Sequence, residues 1–302
     1  MGIHGLAKFL KQRAPTAYTT VTTSPASKIE TWAIDCSCIM YRARSASLQP
    51  VTVIAALIVK LRALRVEPLV IFDGKPPEVK SAAIEERRAQ RESIQKEIEG
   101  LNPLTHAGEI AALQRKIPNV TTSDKDAVKQ LLYAAGVLFL NASGEADDLL
   151  AALYRKGDIT AVLSTDMDML PRGIGRLIVP ETPDASILTC IHLDRILSTL
   201  SVTYDQFLSA CIMMGTDYTG RSLNPHQAIL AASRTAVADS EECRLLKGVG
   251  VEWSSLLSPA QEEKRVAGAP PTEPAVLTTF AATHGWPPGW VTSLQAKLTP
   301  GA

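Results

Sequence analysis

Short apolar runs that each lead into an acid constrain this chain more than any other feature. Residues 30–35 (Glu-Thr-Trp-Ala-Ile-Asp) and 68–72 (Pro-Leu-Val-Ile-Phe, then Asp73-Gly74) read as buried strands closed by carboxylates. Val137 to Leu140 reads as a third strand, ahead of a helix opened by Glu145 and Asp147. Thr160 to Leu163 reads as a fourth, followed by Asp166 and Asp168 in Ser-Thr-Asp-Met-Asp-Met-Leu. Weaker strand patterns follow at 175–179 and 186–191. Helical spacing occupies 51–65, 77–99, 107–116, 124–135, 145–156, 192–200 and 204–214. Strands that alternate with helices predict an α/β fold, a central mostly parallel sheet flanked by helices on both faces.

The charged helical stretch 78–135 interrupts that alternation and reads as an insertion rising from the sheet. Residues 219–302 hold no strong strand pattern; helices are expected at 225–239, 273–283 and 287–297. The expected organisation is therefore a core over 1–218 and a helical C-terminal region over 219–302.

Composition removes other classes. With 302 residues, 46% hydrophobic and 21% charged, the chain matches one large folded domain or one plus an appendage. Its longest mostly apolar stretch, Val51 to Val59, ends at Lys60 and is too short to span a bilayer, so no membrane association is expected. The first residues lack the apolar core of a secretory signal. Five cysteines without a Cys-x-x-Cys pair argue against a thiolate zinc site or a disulfide scaffold, and predict reduced thiols in an intracellular protein. The net charge of zero hides an asymmetry. Residues 1–65 carry nine Lys/Arg against two Asp/Glu, whereas 141–217 carry eleven Asp/Glu against five Lys/Arg. One part suits anions and the other suits cations.

In an open parallel sheet the carboxyl ends of the strands form one rim, where ligands bind. Acids gathered there repel one another unless cations intervene. Oxygen-only donors select hard ions, Mg²⁺ or Mn²⁺, and a pair of such ions is the arrangement that hydrolyses phosphodiesters. Each acid alone has a plainer role: Asp35 or Asp73 as a helix N-cap, Glu145 as a charge favouring a helix start. The joint pattern is what points to a metal site.

These motifs resemble the flap endonuclease (XPG-type) family of structure-specific 5′ nucleases, which has a PIN-like fold. The opening Met-Gly-Ile-His-Gly-Leu-Ala-Lys-Phe-Leu is similar to that family's start, Ala33-Ile34-Asp35-Cys36-Ser37 to its first acidic motif, and Val70 to Pro77 to its second. Ala142 to Asp147 resembles the third, with Asp147 where the family usually has Glu. Thr165 to Asp168 and Gly215 to Tyr218 match the fourth and fifth.

The resemblance implies that Asp35, Asp73, Glu145, Asp147, Asp166, Asp168 and Asp217 bind two Mg²⁺, with Mn²⁺ as a substitute, some directly and some through water. It implies that Lys80 and Arg87, at the base of a helical arch, act on the phosphate. Seven residues are two helical turns, so the two share a face, and Arg91 lies one turn further. Tyr41 matches a residue that stacks on the unpaired terminal base, with core packing as its alternative role. Gly2, at the amino terminus once Met1 is removed, is expected beside the site. The arch would be residues 78–135. Its length favours substrates with a free 5′ end over four-way junctions.

Two departures bear on substrate. The chain between Asp35 and Asp73 is short, which weakens the case for recognition of a one-nucleotide 3′ flap. Ser222-Leu223-Asn224-Pro225-His226-Gln227-Ala228 stands where the family places a glycine-rich helix–two-turn–helix that grips duplex phosphates. A different or weaker duplex grip follows. No sliding-clamp peptide is found near the end. The expected protein is a monomeric 5′ nuclease acting on branched or 5′-flap DNA, nuclear or wherever DNA is replicated and repaired. A 5′→3′ exonuclease, an RNA-cleaving relative and a non-catalytic scaffold remain as alternatives. Persistence of every acid, with Lys80 and Arg87, weighs against the scaffold. A phosphatase built on Asp-x-Asp would account for Asp166 and Asp168 but not for the other motifs.

Overall fold

A computed structural model describes residues 3–22, 28–75, 81–216, 223–234 and 241–247. The strands are β1 (Tyr18–Thr20), β2 (Glu30–Asp35), β3 (Val66–Phe72), β4 (Phe139–Asn141), β5 (Ala161–Leu163), β6 (Arg176–Pro180) and β7 (Leu188–His192). They form one sheet in the order β1-β7-β6-β5-β2-β3-β4. β4, β3, β2, β5 and β6 run parallel, and β7 is antiparallel to both β6 and β1. The expected mostly parallel α/β sheet is what the chain forms.

The strand sequences explain this arrangement. Along β2, Ala33 faces one hydrophobic cluster while Trp32 and Ile34 face the other. On β3, Leu69 and Ile71 face the first and Val70 and Phe72 the second. Both faces of each strand are therefore buried, as in a sheet covered on both sides. The second face is covered by α2 (Cys36–Ser45), α3 (Pro50–Ala63) and α6 (Thr122–Ala134). The first is covered by α1 (Leu6–Arg13), α7 (Ala146–Lys156), α8 (Leu193–Leu200), α9 (Tyr204–Met214) and α10 (Pro225–Arg234). A further helix, α11 (Glu241–Lys247), packs Cys243 and Leu246 on Leu208 of α9.

Within the stretch 78–135, α4 (Ser81–Glu99) is exposed over nearly all its described side chains, and α5 (Ala107–Lys116) buries Leu113. α6 behaves differently. Its Val128, Leu131 and Leu132 are buried in the second cluster, and a Thr121–Asp124 capping box fixes its start. Arg44 of α2 binds Asp124 and ties α6 to the helix that follows β2.

α10 starts at Pro225 in the first helical position, with the Asn224 side chain accepting from Gln227 N–H at 3.0 Å. It lies against the amino-terminal segment, where His226 meets Phe9 edge to face. The helices expected at 273–283 and 287–297 lie outside the described residues, as does 235–239 of the expected helix at 225–239.

β2 is the switch point of the sheet. The chain goes from β2 outward to β3 and β4, then returns to place β5 on the other side of β2. Open α/β sheets bind ligands at the carboxyl ends of the strands flanking such a point.

Candidate functional site

Asp35 ends β2 at the switch point. It serves as the N-cap of α2, accepting from Cys38 N–H at 3.1 Å through Oδ1. Its other oxygen accepts from the Ser164 hydroxyl, at the end of β5, at 2.9 Å. The cap role and the rim position are thus both real. Asp35 is only 5% exposed. Burial, followed by the charge of Asp73 and more weakly that of Asp166, pushes its pKa up to about 7, against the lowering pull of the Cys38 and Ser164 hydrogen bonds.

Asp73 follows β3 and accepts from Ala146 N–H, at the first residue of α7, at 2.8 Å. Glu145 occupies the N-cap position of α7 but does not cap it with its side chain. The acid that follows one strand thereby caps the helix that follows the next. Gly74 makes this approach possible. Its N–H donates to Gly144 O at 2.7 Å, and a Cβ there would stand 2.1 Å from Ala142 O. Asp147 lies in the first turn of α7, half-buried, with Arg172 Nη2 3.8 Å from its Oδ2.

Asp166 caps the short 3-10 turn Met167–Met169, accepting from Asp168 N–H at 3.0 Å, while its own N–H donates to Ser164 Oγ at 3.1 Å. Asp168 is 6% exposed and accepts from Ile3 N–H at 2.7 Å. Asp35, Asp73, Glu145, Asp147, Asp166 and Asp168 therefore all come from the carboxyl-end loops of β2, β3, β4 and β5. Asp217, Lys80 and Gly2 lie outside the described residues. Ile3, next to Gly2, is the amino-terminal residue bonded to an acid of this rim.

Tyr41 projects from α2 with 36% exposure, so it is not a core aromatic. Arg87 is exposed on α4. Arg91 donates to Asn119 Oδ1 at 3.5 Å, beside an open groove also lined by Gln95, Lys96 and Ile117. On the same helix Arg88 pairs with Glu92 at 2.9 Å, the ordinary (i, i+4) pairing of a solvated face.

Sequence reading misses Ser164, Ile3 and Arg172. Ser164 is fully buried and contacts both Asp35 and Asp166; its position between an apolar strand and an acid is the available signal. The described cysteines carry no disulfide. Cys38 Sγ lies 2.5 Å from Thr165 Oγ1 beside the rim, and burial raises its pKa to about 12, which keeps it a thiol.

The donor set is all oxygen, and Asp35 has its charge opposed by two neighbouring carboxylates. Both features fit a hard divalent cation. Among the described residues no three acidic, histidine or cysteine side chains meet closely enough to enclose one. Mg²⁺ tolerates this, because it keeps several waters and needs only one or two carboxylates. No helix among the described residues is long and apolar enough to cross a membrane.

An open, mostly parallel sheet with an acidic rim at its switch point defines an α/β protein whose ligand site lies at the carboxyl ends of its strands. Comparison with known proteins agrees. The XPG N-terminal domain matches residues 1–94 and the XPG I-region matches 136–217, together more than half of the chain. Flap endonuclease 1 of Xiphophorus maculatus is 31% identical over 250 residues, covering 76% of this chain and 65% of that protein. Flap endonuclease 1 of Mus musculus is 30% identical over 236 residues, covering 72% and 61%. The matched stretch is thus less than two thirds of these relatives' length. Among solved structures, the catalytic core of Rad2 in complex with DNA substrate superposes with a TM-score of 0.64 at 16% identity, over 99% of this chain and 100% of that one. The flap endonuclease-1 of Methanococcus jannaschii gives 0.59 at 20% identity, over 93% and 95%. The chain belongs to the XPG/flap endonuclease family. Enzymes of that family depend on divalent metal.

Proposed function

We propose that this chain is a divalent-metal-dependent, structure-specific 5′ nuclease that hydrolyses phosphodiester bonds of 5′ flaps or 5′-ended DNA. The observation that carries this reading is the convergence of Asp35, Asp73 and Asp166 at the switch point, where burial first, and then the charges of Asp73 and Asp166, raise the pKa of Asp35. A site of that kind gains most from cations. Kinship with the flap endonucleases supplies the substrate class.

Asp35, Asp73, Glu145, Asp147, Asp166, Asp168 and Asp217 hold two Mg²⁺, or Mn²⁺ in their place, some directly and some through water. When bound, those ions supply an acidified water and neutralise charge developing on a phosphodiester. The protein's own groups do the rest. Ser164 and Cys38 N–H fix the Asp35 carboxylate in one orientation. Lys80 and Arg87 bind the scissile phosphate and offset its charge, and Arg91 extends that basic line one turn along α4. Tyr41, exposed on α2, stacks on the terminal base and frees it from its neighbour. Ile3 N–H holds the amino-terminal segment against Asp168, and Gly2 is a substrate contact. The protein acts as a monomer on branched or flap DNA, in the nucleus or wherever DNA is replicated and repaired.

The test uses a 5′-labelled single-flap DNA with Mg²⁺ and with EDTA, comparing wild type with Asp166→Ala. Metal-dependent cleavage near the flap base, lost in the variant, supports the reading. Release of mononucleotides assigns the same site to an exonuclease. Binding without cleavage of flap, blunt duplex or single-stranded RNA overturns it in favour of a scaffold.

A further inference from the structure

Two carboxylates stand side by side in the first turn of α7, and one buried guanidinium faces both. Arg172 lies just past the turn that carries Asp166 and Asp168, with 2% of its side chain exposed. Its Nη1 bonds Asp148 Oδ1, and its Nη2 lies 3.8 Å from Asp147 Oδ2. The backbone that carries it is anchored on either side. Arg172 N–H donates to Asp168 O at 3.3 Å, and Pro171 O accepts from the Tyr204 hydroxyl at 2.5 Å. Arg155, on α7, is a second cation near enough to feel Arg172 and Asp148. A guanidinium stays charged in any protein environment. A permanent cation is thus built into the acidic rim, four residues after Asp168.

We propose that Arg172 is a positioning residue that holds Asp147 away from direct metal contact, so that Asp147 acts on a bound ion through water. This rests on the metal-binding reading above and narrows it. An aspartate arm is short, and a carboxylate shared with a guanidinium is a poorer ligand for a second cation. Affinity of an oxygen-donor site is tuned by the charge of its ligand set. Arg172 therefore sets that affinity lower than the number of acids alone implies. It also relieves repulsion in the rim when no ion is bound.

The test is calorimetric titration of the full chain with Mn²⁺ alone, in the absence of nucleic acid. Arg172→Gln frees Asp147 and is expected to bind Mn²⁺ about tenfold more tightly, the scale on which outer-shell partners control metal sites. Asp147→Asn, with Arg172 intact, is expected to lose less Mn²⁺ affinity than Asp166→Asn. The double variant is expected to lose the gain. Unchanged or weaker binding in Arg172→Gln overturns the proposal, and so does a loss in Asp147→Asn as large as that in Asp166→Asn. If circular dichroism shows that Arg172→Gln does not fold, the comparison of Asp147→Asn with Asp166→Asn decides alone. Wild-type affinity in Asp166→Asn overturns the metal-site reading itself, which separates that failure from a failure of Arg172.

Discussion

The Ser164 hydroxyl donates to Asp35 Oδ2 at 2.9 Å and accepts from Asp166 N–H at 3.1 Å. One fully buried serine thus links the acids at the ends of β2 and β5, which lie side by side only because the chain reverses its direction of travel at β2. Ser164→Ala is expected to cost about 1–3 kcal/mol, because one bond goes to a carboxylate and both partners are desolvated. Thermal melts of the two proteins measure this. A melting temperature within a degree of wild type would show that the serine holds nothing in place.

The stability of the metal-free protein should depend on pH through Asp35. Its folded pKa of about 7 lies above the unfolded value of 3.8. The folded state therefore binds the proton more tightly, and the stability linked to it is complete below about pH 3.8 and lost as pH rises to about 7. At pH 8 in EDTA, Asp35→Asn is expected to be more stable than wild type by a few kcal/mol at most, since each tenfold difference in proton affinity is worth roughly 1.4 kcal/mol. Near pH 4 the difference should vanish. Thermal melts at the two pH values measure both, and equal melting temperatures at pH 8 would show that Asp35 ionises without penalty.

The amino-terminal segment is bound to the rim through a backbone group. Ile3→Pro removes the N–H that Asp168 accepts, whereas Ile3→Val keeps it. Valine is expected to cost about 1 kcal/mol through lost packing, and proline about 2 kcal/mol more through the lost hydrogen bond to a buried carboxylate. Denaturant titration of both variants measures the gap. Equal losses would assign the whole effect to packing.

Gly74 carries the approach of the Asp73 loop to residues 142–144. A Cβ there meets the Ala142 and Ser143 carbonyl oxygens at 2.1 and 2.6 Å, and these are backbone atoms. Gly74→Ala is expected to destabilise by roughly 1–3 kcal/mol, the cost of overpacking, and to pull Asp73 off Ala146 N–H. Hydrogen exchange at the Ala146 amide reads the second effect, and unchanged protection would contradict it.

β2 and β3 are legible in the sequence because parallel strands buried on both faces are continuous apolar runs, and Asp35 and Asp73 mark their ends. β1 is not. Tyr18-Thr19-Thr20 has no apolar run, and only pairing with Ile191, Cys190 and Thr189 makes it a strand. α2 is obscured in a similar way, since its cap, Asp35, reads as a rim acid and fills both roles. The six described acids can be placed at strand ends from sequence. Their partners cannot. Ser164 acquires its role only when β5 lies beside β2, and Arg172 only when α7 packs over the turn after β5. The division of 78–135 is hidden for the same reason: α4 and α6 are both charged helices, and burial of Val128, Leu131 and Leu132 separates them.

The most direct measurement is anomalous diffraction from crystals grown with Mn²⁺. Density for two ions is expected at the rim formed by Asp35, Asp73, Glu145, Asp166 and Asp168, absent in crystals of Asp166→Ala. Peaks elsewhere on the surface, with the rim vacant at saturating Mn²⁺, would contradict a metal-dependent site at the switch point.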